Sequence, residues 1–308
     1  MKSPIINLAL ASLLSLSQAL TAQQKKQPKP FGSHKPKQET MDGHDSIPEG
    51  LKRGNLIVNS GMEEGKGREP HGWSGIDGIT AKWDSNGHPG RCLLFDTAVL
   101  QKDKKAFSED EANFKGPGKG GLYDVVGAHE GVWAYSEPID VTPEDRFFII
   151  EADVMAPAKS DQICAPMVFI RGFVKVTAEM AAQGDSAWYH TYHKGGPAYS
   201  EMFGPDELYR PCKEGDYLMK YKHTLTCRIS QPGKWEHFEM GFKLPEKDMK
   251  RFRPTRLLIK PYAFWPAGIY KFDNIKLRHA TQQEVAAVNA KRKSINEFSN
   301  APAPKPKK

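Results

Sequence analysis

The sequence predicts an all-β protein, built as a two-sheet antiparallel β-sandwich of the jelly-roll type with two loop insertions and disordered tails. Segments rich in β-branched and aromatic residues recur at strand length, and turn-like connections such as "SQPGK" and "WPAG" separate them. No strand pattern alternates with a regular helical pattern. A parallel α/β sheet is therefore disfavoured, and two packed antiparallel sheets fit best.

Five segments carry the strongest strand patterns. In the second of them, alternation predicts a core face and an opposite face that carries Phe169, Arg171 and Phe173. The third segment places Phe238, Met240, Phe242 and Leu244 on one side. The five segments are "RFFIIEADVMA" (146–156), "PMVFIRGFVKV" (166–176), "KWEHFEMGFKL" (234–244), "TRLLIKPYAF" (255–264) and "IYKFDNIKL" (269–277).

The chain divides into four parts. Residues 1–22 have the pattern of a signal peptide, because Lys2 precedes a short apolar core that ends in small residues. Residues 23–50 are a basic linker, rich in Pro, Lys and Gln, that we expect to be disordered. Residues 51–280 form the sandwich, with insertions at 97–130 and 177–224, and 281–308 form a basic tail. We therefore expect an exported protein, secreted or located in the periplasm or at the cell surface.

The basic tail contains a helical pattern of its own. Thr281 and Glu284 are spaced as a capping box at its start, but the pattern is only weakly apolar. We therefore expect the tail to be partly helical and leave open whether the helix packs on the sandwich.

Charge lies mainly in the tails. The net charge is +7, of which residues 1–50 hold about +2, residues 281–308 about +4, and the 51–280 region about +1. A groove for nucleic acid would place basic residues in the folded region, so a nucleic-acid partner is not expected. Basic tails could contact an anionic envelope polymer, or they could simply be solvated. No apolar run is long enough to span a membrane as a mature helix.

The four cysteines leave their pairing open. An even number in an oxidising compartment permits two disulfides, with three possible pairings. We favour Cys212–Cys227 as a local clasp, and four free buried thiols are the alternative.

Several segments together resemble the CenC-like carbohydrate-binding modules, which have a galactose-binding-like jelly roll. The opening "NLIVNSGMEEG" (55–65) with "PHGW", the middle "GVWAYSEPIDVTPEDRFFIIEADV", and the later "GKWEHFEMGFKLP" and "WPAGIYKFDNIKL" carry the resemblance. It covers most of residues 54–279, although the two insertions are not typical of the family. It implies one fold and, in most members, a non-catalytic sugar-binding role in exported polysaccharide-processing systems.

The resemblance also implies a structural calcium ion. In such jelly rolls the first and last strands lie side by side, and the positions that match the calcium ligands here are Glu63 and Asp273. Calcium takes six to eight oxygen ligands, from carboxylates and backbone carbonyls among others. The alternative is that Glu63 and Asp273 are two exposed acids in turns.

Sugar binding requires aromatic faces for sugar rings and polar groups for hydroxyls. The second insertion crowds aromatic residues into a Gly- and Pro-containing loop, which predicts a binding edge; a lid that buries its own aromatics is the alternative. The strand face with Phe169, Arg171 and Phe173 is a second candidate. Trp133 alternates with Tyr135 on one face of "GVWAYSE", and its role, structural or sugar-binding, is left open. The predicted carbohydrate-binding residues are Trp188, Tyr189, Tyr192, Tyr199, Trp133 and Arg171.

These observations predict a secreted, non-catalytic polysaccharide-binding protein with a structural calcium ion. The sequence contains no G-x-S-x-G, no P-loop and no G-x-G-x-x-G that opens a helix, and we assign no catalytic residue. The alternatives are an envelope or matrix protein that binds partners through its tails, and a glycan-active hydrolase or lyase.

Overall fold

The computed structural model describes residues 54–142, 144–160, 164–182, 214–215, 217–246 and 253–299, with side chains described as far as residue 292. The predicted signal peptide, the linker and most of the aromatic insertion therefore lie outside the described residues. The regular structure of the described part consists of strands, three α-helices and two short 3-10 helices, Glu111–Asn113 and Val126–Ala128.

The strands are β1 (Gly65–Lys66), β2 (Glu69–Pro70), β3 (Trp73–Ser74), β4 (Ala81–Asp84), β5 (Cys92–Asp96), β6 (Val132–Trp133), β7 (Tyr135–Ser136), β8 (Ile139–Asp140), β9 (Phe147–Met155), β10 (Met167–Lys175), β11 (Tyr217–Thr226), β12 (Glu236–Lys243), β13 (Arg256–Ala263) and β14 (Ile269–His279). The helices are α1 (Gln101–Glu109), α2 (Ala178–Ala182) and α3 (Gln282–Ser299).

Two five-stranded sheets dominate the fold. The first has the order β12-β9-β14-β5-β4, and the second has the order β11-β10-β13-β6 with β8 also paired to β13. Every strand pair within them is antiparallel. The predicted fold class, a two-sheet antiparallel jelly-roll sandwich, is confirmed.

The core lies between the two sheets. Phe95 and Phe272 from the first sheet have ring centroids 5.2 Å apart, and they belong to one buried cluster with Ile170 and Ile259 of the second sheet. Burying a side chain of this size contributes about 1.5–3 kcal/mol. The predicted inward positions of β12 are correct, since Met240, Phe242 and Leu244 are buried in the cluster and Phe238 packs against it. Because side chains alternate along a strand, the buried positions also determine which side chains lie on the outer faces of the two sheets.

The beginning and the end of the described fold lie side by side. The backbone N–H of Leu56 donates to the carbonyl of Leu277 over 2.7 Å, and the N–H of Ile275 donates to the carbonyl of Ser60 over 3.0 Å. The side-by-side arrangement that the family resemblance implies is therefore present. It brings Glu63 towards the turn of β14 that carries Asp273.

The two ends of the first insertion are joined by backbone hydrogen bonds. It leaves β5 at Thr97, forms α1, and returns so that the N–H of Gln101 donates to the carbonyl of Asp124 and the N–H of Val126 to that of Val99. The second insertion is shorter than expected. Residues 217–224, which we assigned to it, belong to β11, an outer strand of the second sheet. Apolar and aromatic residues in "YLMKYKHTLT" support this strand, and the aromatic content of the sequence before it hid the pattern.

Helix α3 packs against the first sheet. Its capping box forms as the sequence predicts, because Glu284 N–H donates to Thr281 Oγ1 at 3.1 Å and Thr281 N–H donates to Glu284 Oε2 at 2.7 Å. Gly241 of β12 faces Val285 so closely that a Cβ atom there would come within 2.8 Å of the helix backbone. The missing side chain of Gly241 therefore makes room for the helix.

Of the favoured Cys212–Cys227 pair, Cys212 lies outside the described residues, and Cys227 forms no disulfide. Cys227 is a free, fully buried thiol, and Cys92 is a second one. Burial raises the pKa of both thiols, that of Cys92 to about 12, so each is kept in its uncharged form. Among the described residues no helix is both long and apolar enough to cross a membrane.

Candidate functional site

The predicted sugar-binding residues divide into two groups. Trp188, Tyr189, Tyr192 and Tyr199 lie outside the described residues. Trp133 and Arg171 lie on β6 and β10 of the second sheet. The register places their side chains on the same face, the one turned away from the core.

Strand alternation explains this placement. Val168 and Ile170 point into the core, so Phe169 and Arg171 point outward. On the neighbouring β13, Lys260 lies opposite Phe169, and Tyr262 lies opposite Trp133. On β11, Lys222 lies opposite Arg171. We call this surface the aromatic–cationic face, and it consists of Trp133, Phe169, Arg171, Lys222, Lys260 and Tyr262.

The rings of this face form a continuous belt. Tyr262 is at its centre, with its ring centroid 6.4 Å from Trp133, 5.5 Å from Phe169 and 5.7 Å from Phe264. Its hydroxyl donates to the carbonyl of Glu130 over 3.2 Å. Trp133, Phe169 and Tyr262 are each only partly buried. The belt is therefore both held in place and reachable from solvent.

Lys260 inserts its ammonium group among the rings. Its Nζ lies 4.2 Å from the Trp133 centroid, 5.3 Å from Tyr135 and 5.7 Å from Tyr262, and the residue is only 3% exposed. Each such cation–π contact contributes about 0.5–2 kcal/mol, with the larger values for desolvated groups. The charge of Lys260 is therefore fixed beside the aromatic belt.

Arg171 is the second cation of the face. Its guanidinium carbon lies 4.2 Å above the ring of Phe169. Its Nε atom is buried and has no hydrogen-bond partner among the described residues. A buried donor without a partner costs about 1–3 kcal/mol, so this position is an incomplete polar site.

Phe173 does not belong to the open face. It is 3% exposed. The register of β10 and β11 shifts between Gly172 and Phe173, so that Gly172 lies opposite Tyr221 but Phe173 lies opposite Met219. On its other side Phe173 lies opposite Arg256 of β13 in an unbroken register, so it lies on the same side of the sheet as Phe169 and Arg171, as the alternation predicts, but its side chain is covered.

Two cavities lie close to this region. One of about 320 Å³ is lined by Trp133, Lys104, Asp77 and Glu69 among others. A larger one of about 940 Å³ lies between the first insertion and residues that precede it, with Phe107, Phe114 and the Gly-rich segment 117–121 in its wall. Trp133 therefore belongs both to the aromatic–cationic face and to the wall of the smaller cavity.

The carboxylates of Glu63 and Asp273 both accept backbone hydrogen bonds from the loop 87–91. Asp273 is fully buried and accepts the backbone N–H groups of His88 and, over 2.6 Å, Asn274. Glu63 is exposed and accepts the N–H of Arg91 at 3.0 Å. Asp273 is therefore not the exposed turn acid of the alternative interpretation.

Burial raises the pKa of Asp273 to about 6, and the negative charges of Glu63 and Asp153 add to the rise against the two backbone hydrogen bonds. A cation between the carboxylates would relieve this repulsion, and the donors are the hard oxygens that calcium prefers. The described residues contain no group of three or more His, Cys, Asp or Glu side chains arranged to hold a metal ion. A calcium ion between Glu63 and Asp273 would therefore need oxygen atoms of other groups as its remaining ligands.

A third polar cluster lies on the outer side of the first sheet. Asp153 of β9 bonds His237 Nδ1 at 2.8 Å and accepts the amide of Asn274 at 2.9 Å, with His88 Nδ1 3.5 Å away. The His88 ring stacks on Trp235 with centroids 5.5 Å apart. Asn274 has a left-handed backbone, with φ of 48°. Its backbone N–H donates to Asp273, and its side-chain amide donates to Asp153.

The hydrogen bond with Asp153 raises the pKa of His237 against the effect of burial. Burial alone would raise the pKa of Asp153, but the hydrogen bonds from His237 and Asn274 outweigh it, and that pKa lies below its usual range. The pair therefore favours a protonated His237 beside an ionised Asp153.

Sequence reasoning missed Lys260, Tyr262 and this third cluster. The alternation of "TRLLIKPYAF" contains the signal for the first two, because Leu257 and Ile259 point inward and leave Lys260 and Tyr262 outward. The cluster has no such signal. His88, Asp153 and His237 come from three distant parts of the chain, and only the strand order brings them together.

Comparisons with known proteins give the following result. No protein-family model and no curated protein matches the chain. The CenC-like resemblance therefore remains a prediction.

Solved structures are similar at low identity. They include the enzymatically active domain of tailspike protein 4 from bacteriophage CBA120 (8% identity, 73% of this chain and 21% of that chain, TM-score 0.37). They also include the arabinose-bound α-L-arabinofuranosidase MgGH51 (10%, 76% and 29%, 0.36) and the module TmCBM61 in complex with β-1,4-galactotriose (11%, 74% and 99%, 0.34). The chain thus spans less than a third of the first two.

Carbohydrate-binding modules named CBM4, CBM22 and CBM28 are also among the similar structures. All these TM-scores are below 0.5, so function is inferred from the geometry of this chain.

Proposed function

We propose that this chain is an exported, non-catalytic polysaccharide-binding protein whose described binding surface is the aromatic–cationic face. The observation that carries the proposal is the belt of Trp133, Tyr262 and Phe169, partly exposed and flanked by cationic side chains. Aromatic rings contact the apolar faces of sugars, and nearby polar groups bind the hydroxyls. The signal-peptide pattern of residues 1–22 supports export.

Substitution of Trp133 tests the site. Trp133→Ala removes the ring at one end of the belt, and we expect binding to a panel of insoluble and soluble polysaccharides to weaken about tenfold or more, as for a well-packed aromatic anchor. Trp235→Ala is the matched control, because Trp235 is a partly buried tryptophan that directly precedes β12 of the other sheet. Affinity electrophoresis measures binding, and near-ultraviolet circular dichroism verifies the fold. Unchanged binding by Trp133→Ala, or an equal loss in both variants, would contradict the proposal.

We further propose that Glu63 and Asp273 hold a structural calcium ion. Support comes from the two carboxylates that face one loop and from the raised pKa of Asp273. Calcium there would neutralise the two carboxylates where the first residues of the fold meet its last strand. A ligand that binds only the folded state stabilises it by about 2.7 kcal/mol at a hundredfold excess over Kd.

Melting curves in calcium and in chelator test the ion. We expect calcium to raise the Tm of the wild-type chain, and Asp273→Asn and Glu63→Gln to lose most of that increase. Glu64→Gln, which removes the neighbouring exposed charge, should keep it. Comparing the calcium-dependent increase within each variant separates ligand loss from general destabilisation. If chelator leaves the wild-type Tm unchanged, the site does not bind calcium.

One observation favours a second candidate function, a glycan-active hydrolase or lyase. Asp153 and His237 form a carboxylate–imidazole pair on the outer side of the first sheet, next to Trp235. Such a pair can act as a general base. Release of reducing ends or unsaturated products from a polysaccharide, abolished by His237→Gln, would establish the activity, and release of neither would exclude it for that panel.

A further inference from the structure

We propose that the larger cavity, between the first insertion and the residues that precede it, is a second binding site that takes a short neutral oligosaccharide. Its volume of about 940 Å³ lies in the range of about 300–1,000 Å³ in which small ligands bind. None of the six residues of the aromatic–cationic face lines it. The inference therefore does not rest on the proposed function of that face, and the insertion is not typical of the family that the sequence resembles.

One wall of the cavity is the outer side of the first sheet. Phe95 of β5 is buried in the core, so the next residue, Asp96, points outward. Lys82 of β4 lies opposite Leu94, which makes it the diagonal neighbour of Asp96 on that side. Asp96 Oδ1 accepts the N–H of Ala98 over 3.0 Å, and its second oxygen has no hydrogen-bond donor among the described residues. This wall therefore offers an acceptor to a ligand.

Helix α1 supplies a buried carboxylate to the opposite wall. Asp103 is only 7% exposed, and its Oδ2 accepts the N–H of Gly118 over 2.8 Å. Its other oxygen, Oδ1, accepts no hydrogen bond from a described residue. An unpaired acceptor in a largely buried side chain is unfavourable, so a hydroxyl group of a ligand would complete the hydrogen bonding of Asp103.

Polar contacts hold this wall in place before any ligand binds. Lys102 Nζ donates to the carbonyl of Lys119 over 2.7 Å, which ties α1 to the Gly-rich segment a second time. Beyond the end of α1, Glu111 forms an ion pair with Arg68 over 2.7 Å. The insertion is thus fixed at both ends of the helix. A preformed cavity loses less conformational freedom on binding than a flexible one.

Two phenylalanine rings supply the apolar part of the cavity. The ring centroids of Phe107 and Phe114 lie 5.4 Å apart, and the ring planes are nearly perpendicular at 87°. Both residues line the cavity and are only partly buried. Aromatic rings of this kind contact the apolar faces of sugars. The cavity therefore combines the two kinds of surface that a sugar requires.

The charges of the cavity favour a neutral ligand with hydroxyl groups. Two acids, Asp96 and Asp103, and two bases, Lys82 and Lys119, line it, so neither sign of charge is favoured. A purely apolar ligand would remove these groups from water without replacing their hydrogen bonds, which is unfavourable. A hydroxyl group both donates and accepts, so it can bond to a carboxylate or to an ammonium group. A neutral sugar meets all of these requirements.

Titration calorimetry with the full chain tests the site. The probes are the neutral trisaccharides cellotriose, xylotriose, mannotriose, maltotriose and galactotriose, with trigalacturonate as the charged comparison. We expect at least one neutral trisaccharide to bind about tenfold or more tightly than trigalacturonate, because the carboxylates of the latter would have to approach Asp96 and Asp103.

Substitutions then locate the binding. Phe107→Ala should weaken it about tenfold or more, as for an aromatic anchor. Asp96→Asn and Asp103→Asn should each weaken it about tenfold, because a neutral amide replaces the carboxylate of a charge-assisted hydrogen bond. Both keep an oxygen for the backbone N–H that the wild-type side chain accepts. Phe147→Ala and Glu109→Gln are the controls, since neither residue lines the cavity; Phe147 is partly buried and Glu109 is an exposed acid of α1.

The outcomes separate this site from the aromatic–cationic face. Trisaccharide binding that Phe107→Ala weakens and Trp133→Ala retains supports the cavity. Binding that Trp133→Ala weakens as much as Phe107→Ala, or an equal loss in Phe147→Ala, overturns the inference. Trigalacturonate binding as tight as that of every neutral trisaccharide overturns the neutral ligand class. Failure of every neutral trisaccharide to bind overturns the inference too, and leaves the polysaccharide test of the proposed function unaffected.

Discussion

Asp153 is the residue at which two histidines from distant parts of the chain meet. It bonds His237 at 2.8 Å and lies 3.5 Å from His88. Because this hydrogen bond raises the pKa of His237, protonation of His237 stabilises the fold. The contribution is fully present below the unfolded pKa of 6.5 and is lost as pH rises through the higher folded value.

We predict that Asp153→Asn lowers the pKa of His237, because the substitution removes the partner that favours the charged ring. An NMR titration of the histidine side chains measures it. His223 is the internal control, since burial lowers its pKa and Asp153 is not among the causes. A His237 pKa that is the same in both proteins would mean that the hydrogen bond is absent in solution.

The placement of some single side chains could be predicted from the sequence. Alternation places Phe169 and Arg171 correctly, because it depends only on local strand geometry. It also places Phe173 on this side of the sheet, but it does not predict that Phe173 is only 3% exposed, because alternation contains no information on what covers a side chain. The acids Glu63 and Asp273 both accept backbone N–H groups of the loop 87–91. Glu63 is exposed and Asp273 is fully buried, a difference that depends on packing and could not be predicted from the spacing of the residues.

Helix α3 shows how an element of modest apolar character is held in place. Asn289 donates its amide to the carbonyl of Gly241 at 2.9 Å and accepts the Gly241 N–H at 3.1 Å. Arg292 donates to the carbonyl of Thr226 at 3.3 Å, so the helix also reaches the second sheet. The capping box could be predicted from the spacing of Thr281 and Glu284. The packing of α3 on the first sheet could not be predicted, because it depends on the space left by the missing side chain of Gly241.

We predict that Asn289→Ala destabilises the docked helix by about 1 kcal/mol, the net value of a typical hydrogen bond, or by more if both bonds contribute fully. Urea unfolding measures the global effect, and hydrogen exchange at the Gly241 amide measures the local one. Gln283→Ala on the exposed side of the same helix is the control. No change in either measurement would show that the helix does not dock through Asn289.

At the scale of the whole fold, Asn55 links residues that are far apart in the chain. Its Oδ1 accepts the N–H of Ile57 at 3.1 Å and that of Leu277 at 3.0 Å, and its Nδ2 donates to the carbonyl of Ile57. Leu277 is fully buried. The fold class itself could be predicted from strand patterns and turns, but this closure could be anticipated only through a family resemblance, because contacts between distant segments have no local pattern.

We predict that Asn55→Ala lowers the free energy of unfolding by about 1–3 kcal/mol, because the N–H of Leu277 loses its acceptor in a buried position. Chemical denaturation monitored by tryptophan fluorescence measures the change. Asn113→Ala, at an exposed position of the first insertion, should have little effect. An Asn55→Ala protein as stable as the wild type would mean that the first residues of the fold contribute nothing to closing it.

The position of Asn289 has a consequence for how separate molecules of this protein meet. In the described part of the chain β12 is the outermost strand of its sheet, and an outermost strand offers unused backbone groups to any other chain that approaches. The asparagine side chain occupies such a pair of groups at Gly241, and helix α3 stands in front of them. When α3 detaches, β12 becomes a template on which a second molecule can add a strand. The loss of a weakly apolar helix would then appear first as aggregation, before any change in ligand binding.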